Sequence, residues 1–299
     1  MPELPEVETT VRDLNKKVLN RTFLNVWTDF KKTTKKPNFE QFKKEIKGKK
    51  IQKIWRRGKN IIFDLSPHQK FGGGDLSENK SLSVHQKLTG HLLIGKWELE
   101  KGVWKAKISG PIKDDPMNRF LHLVFWLDNG YQLALSDLRK FAKVELWNTK
   151  ELKRELDSLG PEPLDKNFTF ERLRETLQQA RGKIKQVLMD QSVIAGIGNI
   201  YSDEILWEAK VHPFKDVLKL SGDELKKIYQ AMRKILSKAI EVGGESISDY
   251  RKPSGEKGGF DLLRKVYRRE GEKCSRCGTI IKRIKLESRR AHFCPKCQK

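Results

Sequence analysis

A chain of 299 residues is long enough for more than one domain, and its 37% hydrophobic content supplies a substantial core. Its 62 lysines and arginines exceed its 39 acidic residues by 23, so the surface suits a polyanion: nucleic acid first, an anionic membrane surface second, with a merely solubilising lysine-rich surface as the plain alternative. No apolar run approaches membrane-spanning length, and the acidic opening Met1 to Thr10 lacks a basic leader and an apolar core, which predicts no secretory signal.

Leu4, Val7, Val11 and Leu14 recur at helical spacing behind Pro2 and Pro5, with Glu3, Glu6 and Glu8 crowding the first turn. A helix is therefore predicted almost from the terminus. From Ile51 to about Trp147 the pattern is that of strands: Phe120 to Leu127 is nearly all apolar, Asn129-Gly130 predicts a two-residue hairpin turn, and Tyr131, Leu133 and Leu135 then alternate. Gly72-Gly73-Gly74 marks a flexible loop between strands, and Pro111 to Pro116 another. After Trp147 the period is helical. Leu152, Leu156 and Leu159 stop at Gly160-Pro161, and Thr169 caps Phe170, Leu173, Leu177 and Ala180. Ser221 and Glu224 form a capping box ahead of Leu225, Ile228, Met232, Ile235 and Ala239, a helix that Gly243-Gly244 ends. Glu245 to Gly259, polar and glycine-rich, reads as an exposed, mobile loop or an inert linker.

Lys183 to Gln191 reads as a helix, Gly196-Ile197-Gly198-Asn199 as a tight turn, and Ile200 to Ala209 as a second helix. Glycines let backbone approach a phosphate, and the second helix offers free N–H groups, with Asn199 placed as cap and phosphate donor and Arg181, Lys183 and Lys185 adding charge. Plain helix packing uses the same glycines, so the turn alone leaves both readings open.

All four cysteines lie between residues 274 and 297, as Cys274-x2-Cys277 and Cys294-x2-Cys297. That spacing matches one structural zinc held by four thiolates with no open position for catalysis; two disulfides are the alternative, disfavoured without a secretory signal. Between the pairs lie Ile280, Ile281, Ile284 and Leu286 with Lys282, Arg283, Lys285, Arg289 and Arg290, a hairpin's length of chain. Its basic face suits DNA, or solvent.

The opening Met1-Pro2-Glu3-Leu4-Pro5-Glu6-Val7-Glu8 resembles the N-terminus of bacterial formamidopyrimidine-DNA glycosylases, and the Gly-x-Gly-Asn turn and the cysteine finger follow in that family's order. The resemblance implies an α+β multidomain protein: an N-terminal β-sandwich with flanking helices over 1–148, a helix-two-turn-helix DNA-binding domain with a mobile base-capping loop over 149–265, and a zinc finger β-hairpin over 266–299. It implies a monomeric, cytoplasmic, nucleoid-associated enzyme that removes oxidised purines such as 8-oxoguanine and formamidopyrimidines from duplex DNA and cuts at abasic sites. In that family Met1 is removed, Pro2 is the nucleophile, Glu3 shuttles protons, Lys59 contacts phosphate and donates a proton, and Arg289 grips the phosphates flanking the lesion. Leu88, Arg139 and Phe141 match the side chains that fill the space of the everted base. Leu88 stands where methionine is usual, and Asp137-Leu138-Arg139-Lys140-Phe141-Ala142 departs from the common Asp-Pro-Arg-Arg-Phe-Gly. Ser254 to Phe260 resembles the base-capping loop, with Gly259 in place of a common aromatic residue, and Ala291 replaces a frequent hydroxyl residue in the finger. An endonuclease VIII-like enzyme for oxidised pyrimidines and a non-catalytic zinc-containing binder of damaged DNA are the alternatives, and Leu4-Pro5 favours the purine branch.

Overall fold

The computed structural model describes residues 1–66, 79–246 and 249–299, so the loop expected at Gly72-Gly73-Gly74 lies outside the described residues. The chain forms two compact units, residues 1–157 with 243–259, and residues 158–242 with 260–299.

In the first unit, α1 (Leu4–Val18) leads into β1 (Phe23–Thr28), β2 (Thr34–Lys36) and α2 (Phe39–Ile46). Strands β3 (Ile51–Arg57), β4 (Asn60–Leu65), β5 (Lys80–His85) and β6 (His91–Gly95) follow, then a hairpin of β7 (Trp97–Glu100) and β8 (Val103–Ala106). A single turn of helix, α3 (Pro111–Asp114), precedes β9 (Leu121–Leu127), β10 (Gln132–Ser136), β11 (Lys143–Asn148) and α4 (Thr149–Asp157). The main strands form two sheets, ordered β1-β9-β10-β6 and β2-β11-β5-β4-β3. One buried cluster joins them: Val26, Phe125 and Leu133 from the first sheet meet Phe63, Leu82 and Val144 from the second, with Val11 of α1 and Phe42 of α2. This is the expected β-sandwich with flanking helices. The nearly continuous apolar run in β9, broken by His122, has a cause: Leu123, Phe125 and Leu127 enter that core, while Leu121 and Val124 enter a second cluster with Trp97 and Ile112 on the other face of the sheet.

Three loop readings change. The β9–β10 hairpin closes on Leu127 and Tyr131, enclosing three residues (128–130), not two, because Leu127 N–H bonds Tyr131 O at 2.9 Å and Gly130 N–H bonds Leu127 O at 3.1 Å, with Gly130 at φ 75 as the left-handed third residue. Pro111 to Pro116 is folded, as α3 and a 3-10 turn at Pro116–Arg119 that Asp115 caps through Met117 N–H. Among the described residues after Gly244, Glu245, Ser246, Tyr250 and Arg251 are buried and not exposed as expected, and Tyr250 and Arg251 find partners on Glu6 and Asp115.

In the second unit, α5 (Phe170–Gln179), α6 (Ile184–Met189), α7 (Asn199–Ala209) and α8 (Gly222–Glu241) precede the hairpin β12 (Lys282–Leu286) and β13 (Arg289–Phe293). Thr169 caps α5 through Arg172 N–H, and Ser221 and Glu224 form the expected capping box. Helix α7 is buried on nearly all sides, so its acidic pair must be fully partnered. Asp203 pairs with Lys185 at 2.5 Å and accepts the backbone N–H of His292 at 3.0 Å. Glu204 accepts three consecutive backbone N–H groups, from Lys265, Val266 and Tyr267, at 2.8 to 3.0 Å. Lys185 is therefore no surface contact for DNA; its side chain is wholly buried as the counter-ion of Asp203.

Glu204→Gln keeps the shape but turns an amide toward backbone donors that need an acceptor. It is expected to destabilise the unit by about 2–3 kcal/mol, read as a lower thermal transition in calorimetry.

Candidate functional site

Glu3 is the N-cap of α1, so Pro2 and Glu3 stand at the positive end of that helix, and both are buried beneath an exposed Met1. Glu6 organises this end. One of its oxygens accepts Glu3 N–H at 2.8 Å and the other accepts Glu245 N–H at 2.8 Å. Gly244, at φ 80, lies so close that an added Cβ would sit 2.8 Å from Glu6 Oε1. Tyr250 hydroxyl donates to the Glu6 carbonyl at 3.1 Å, and burial raises its pKa, which keeps the proton there. From the sequence Glu6 reads only as a first-turn acid; its partners lie far along the chain.

Lys59 occupies the turn Gly58-Lys59 between β3 and β4, where Arg57 pairs with Asn60 and Gly58 takes φ 56. It is 6% exposed, so it is not a surface lysine. Arg56 ties this turn to α1, bonding Glu8 at 3.0 Å and the Gly58 carbonyl at 3.1 Å. Burial alone would raise the Glu8 carboxyl, but Arg56 and Arg12 hold it below its ordinary value.

Strand register brings a further residue to this place. His85 lies between Asn60 on β4 and Lys143 on β11. Burial, then the charges of Lys87, Lys59 and Lys143, pull its pKa down to about 3. Its Nδ1 accepts Lys87 N–H at 3.0 Å, so the neutral ring carries its proton on Nε2. A neutral N–H donor among three lysines suits an oxyanion.

Leu88, half-buried, sits in the β5–β6 turn, and Arg139 and Phe141 sit exposed after β10, with the Arg139 guanidinium 4.7 Å from the Phe141 ring centre. Asp137 joins the two turns. Its carboxylate accepts the Thr89 hydroxyl and the backbone N–H groups of Arg139, at 3.3 Å, and Ala142, at 2.8 Å.

In the second unit Gly198, not Asn199, is the N-cap of α7; Asn199 is the first helical residue, and its Oδ1 is buried without a hydrogen-bond partner. Asn199 and Arg289 line one cavity of about 490 Å³, together with Arg268, Lys285, Arg290 and His292. The pairing of Glu204 with residues 265–267 and of Asp203 with His292 fixes both walls of that cavity on α7. Arg181 is exposed and donates to the carbonyls of Gln178 and Ala180 at the end of α5, and Lys183 is the N-cap of α6, so neither lines the Asn199 cavity.

The four cysteine sulfurs lie within 4.8 Å of one another, with Cys277–Cys294 at 3.5 Å and Cys274–Cys297 at 4.0 Å. Tetrahedral zinc with bonds near 2.3 Å would set its sulfurs about 3.8 Å apart, so the donor set fits. Hydrogen bonds from Thr279 lower Cys277 to about 6, whereas burial and the other sulfurs push Cys297 up to about 12: two of the thiols are shifted down and two up, so a cation is needed to hold all four as thiolates. Trp207 of α7 packs on this cage, and its Nε1–H points at Cys274 Sγ, 3.5 Å away.

Three family models match the chain: the formamidopyrimidine-DNA glycosylase N-terminal domain over residues 1–144, the formamidopyrimidine-DNA glycosylase H2TH domain over 159–251, and a zinc finger found in FPG and IleRS over 271–299. The formamidopyrimidine-DNA glycosylase of Carboxydothermus hydrogenoformans is 38% identical over 100% of both chains, and that of Synechocystis is 37% identical over 100% of this chain and 98% of its own. Among solved structures, a Lactococcus lactis FPG variant in complex with Fapy-dG containing DNA superimposes with a TM-score of 0.83 at 35% identity over 100% of both chains. The Lactococcus lactis protein bound to abasic site containing DNA gives 0.82 at 34% identity over 99% of each.

Metal analysis of the purified protein is expected to find a single zinc per chain, absent from Cys294→Ser. That variant should bind duplex DNA at least roughly tenfold more weakly, because the hairpin carrying Arg289 folds around the metal.

Proposed function

Because the chain belongs to the formamidopyrimidine-DNA glycosylase family, we propose that it excises oxidised purines from duplex DNA and cleaves the strand through a Schiff base on Pro2. The observation that carries this reading is the start of α1, where Pro2 is buried at the positive helix end beside Glu3 and close in sequence to the clamp made by Glu6. Removal of Met1 would turn the Pro2 nitrogen from an amide into a secondary amine. The positive end of α1 favours the neutral, nucleophilic form of that amine. Attack on the sugar C1′ expels the base, and the C1′–O4′ bond then opens, with Glu3 delivering a proton to O4′, to leave an iminium that acidifies the C2′ proton. Loss of that proton breaks the strand, and a second elimination follows. Lys59 and His85 hold a phosphate oxygen on the first unit, and Asn199 and Arg289 hold phosphates on the second. Bound zinc supplies folding energy to the finger and takes no part in the reaction.

Leu88, Arg139 and Phe141 fill the gap left by the everted base, with Asp137 keeping their two turns in register. The substrate is lesion-bearing duplex DNA in the bacterial cytoplasm and nucleoid, and the enzyme acts as a monomer. The oxidised-pyrimidine and non-catalytic readings are not favoured, since the relatives named above are formamidopyrimidine-DNA glycosylases.

Borohydride should trap a covalent complex with duplex DNA containing 8-oxoguanine, and Pro2→Gly should abolish it; an undiminished adduct would place the nucleophile elsewhere. Arg56→Met, which frees the Gly58-Lys59 turn from α1, should slow single-turnover strand cleavage by about ten- to a hundredfold, with partial recovery in Arg56→Lys.

A further inference from the structure

Helix α1 and strand β3 run side by side in opposite directions. Arg56 bonds Glu8 at 3.0 Å, the Asn15 amide donates to the Ile54 carbonyl at 2.9 Å, and Asn20 N–H bonds the Ile51 carbonyl at 2.9 Å. Each element therefore has one end at the chemistry, Pro2 on α1 and the Lys59 turn on β3, and the other at the contact of Asn20 with Ile51. The fifteen residues of α1 and the seven of β3 each cover about 20 Å. Between the two ends, Arg12 and Lys16 of α1 are paired with Glu8, at 2.9 Å, and Asp13, at 3.9 Å.

A third piece of chain joins the far end. Gly48 N–H bonds the Phe23 carbonyl at 2.7 Å, and Phe23 N–H bonds the Lys49 carbonyl at 3.0 Å, so the turn from α2 into β3 lies against the turn from α1 into β1. Arg21 on one turn, and Lys43, Lys44, Lys47 and Lys50 on α2 and the other, are all exposed. None of these cations is ion-paired among the described residues, and the acids of α2 are engaged elsewhere: Glu40 holds Lys31 at 2.6 Å, and Glu45 meets Lys80 at 3.6 Å. Lys49, beneath them, is buried with its amine 3.2 Å from the Ser66 carbonyl.

The carboxyl end of a helix is balanced by about half a unit of positive charge, and α2 ends on Lys43, Lys44 and Lys47. Like charges at i and i+4, as in Lys43 and Lys47, repel and destabilise. The excess favours an anion from outside. Lysines on flexible stems suit a repeating backbone charge better than a ligand of fixed shape. A lipid surface would draw on apolar side chains set among the cations. Here Val18, Phe42 and Ile46 of the two helix ends are buried, which leaves Leu24 alone exposed beside them.

We infer that this far end of the first unit is a second contact for duplex DNA, taking the phosphates of another segment while the end with Pro2 and Lys59 holds the lesion. The inference rests on the function proposed above, which makes DNA the partner. Two contacts on one chain let the protein pass between segments without full release, because the second binding event is intramolecular.

Borohydride trapping on an 8-oxoguanine duplex fills the reactive end covalently and isolates the second contact. A fluorescent undamaged duplex added to the purified adduct should bind at low salt and be released as salt rises. A variant carrying Lys43→Ser, Lys44→Ser and Lys47→Ser should trap within about twofold of the wild-type rate and bind the added duplex at least about tenfold more weakly. A control carrying Lys219→Ser, Lys226→Ser and Lys227→Ser, which removes the same charge from exposed positions of the second unit, should bind it as the wild type does. No binding to the adduct, equal loss in both variants, or slower trapping in the first would overturn the inference; slower trapping would put these lysines under the same duplex as the lesion. Wild-type binding to phosphatidylserine vesicles that the first variant loses, with its duplex binding intact, would assign the surface to lipid instead. If the wild type forms no adduct, the Pro2 chemistry falls, and the second contact is then read by whether one chain brings together two duplexes carrying different fluorophores.

Discussion

The Glu6 carboxylate is the fixed point of this molecule. It is 2% exposed, and a carboxylate removed from water must be met by donors. Here the donors are two backbone N–H groups from opposite parts of the chain, Glu3 at the start of α1 and Glu245 beyond α8. The helix start is thereby held still, and with it Pro2 and Glu3. The same contact explains why 243–259 belongs with the first unit although its neighbours in sequence belong to the second. Gly244 is required at that contact because no side chain fits against Glu6.

The second unit solves the same problem in the same way. Asp203 and Glu204, adjacent on a buried helix, take backbone N–H groups from His292 and from residues 265–267. Charge-assisted bonds to backbone fix the course of a chain more firmly than apolar packing, since they have direction. The hairpin with Arg289 and the linker before it are set against Asn199 by these two acids, while Trp207 on the same helix supports the cysteine cage. In both units buried carboxylates align irregular backbone.

What the sequence makes legible is local. Helix α1, the Thr169 cap, the Ser221–Glu224 box and the paired cysteines each depend on residues a few positions apart, and each stands as read. What it hides is non-local. Glu6 and Glu245 are 239 positions apart, and Arg251 and Asp115 are 136 apart, so neither partnership leaves a spacing to recognise. Polar, glycine-rich composition makes residues after Gly244 look exposed because it cannot reveal that Asp115 and Asn118 are waiting for them. Lys185 misleads for a related reason: a lysine near a phosphate-type turn looks available until α7 proves to be buried and its Asp203 in need of a cation. One clue was present. A helix as apolar as Ile200 to Ala209 that still carries Asp and Glu side by side must bury both, and buried acids imply partners.

The proposed chemistry depends on one covalent bond, between the Pro2 nitrogen and a deoxyribose carbon. Protease digestion of the borohydride-stabilised complex, followed by mass spectrometry of the modified peptide, locates that bond directly. The prediction is a sugar adduct on the N-terminal peptide, beginning at Pro2 with Met1 gone. An adduct on the peptide that contains Lys59, or on any other lysine, would contradict it.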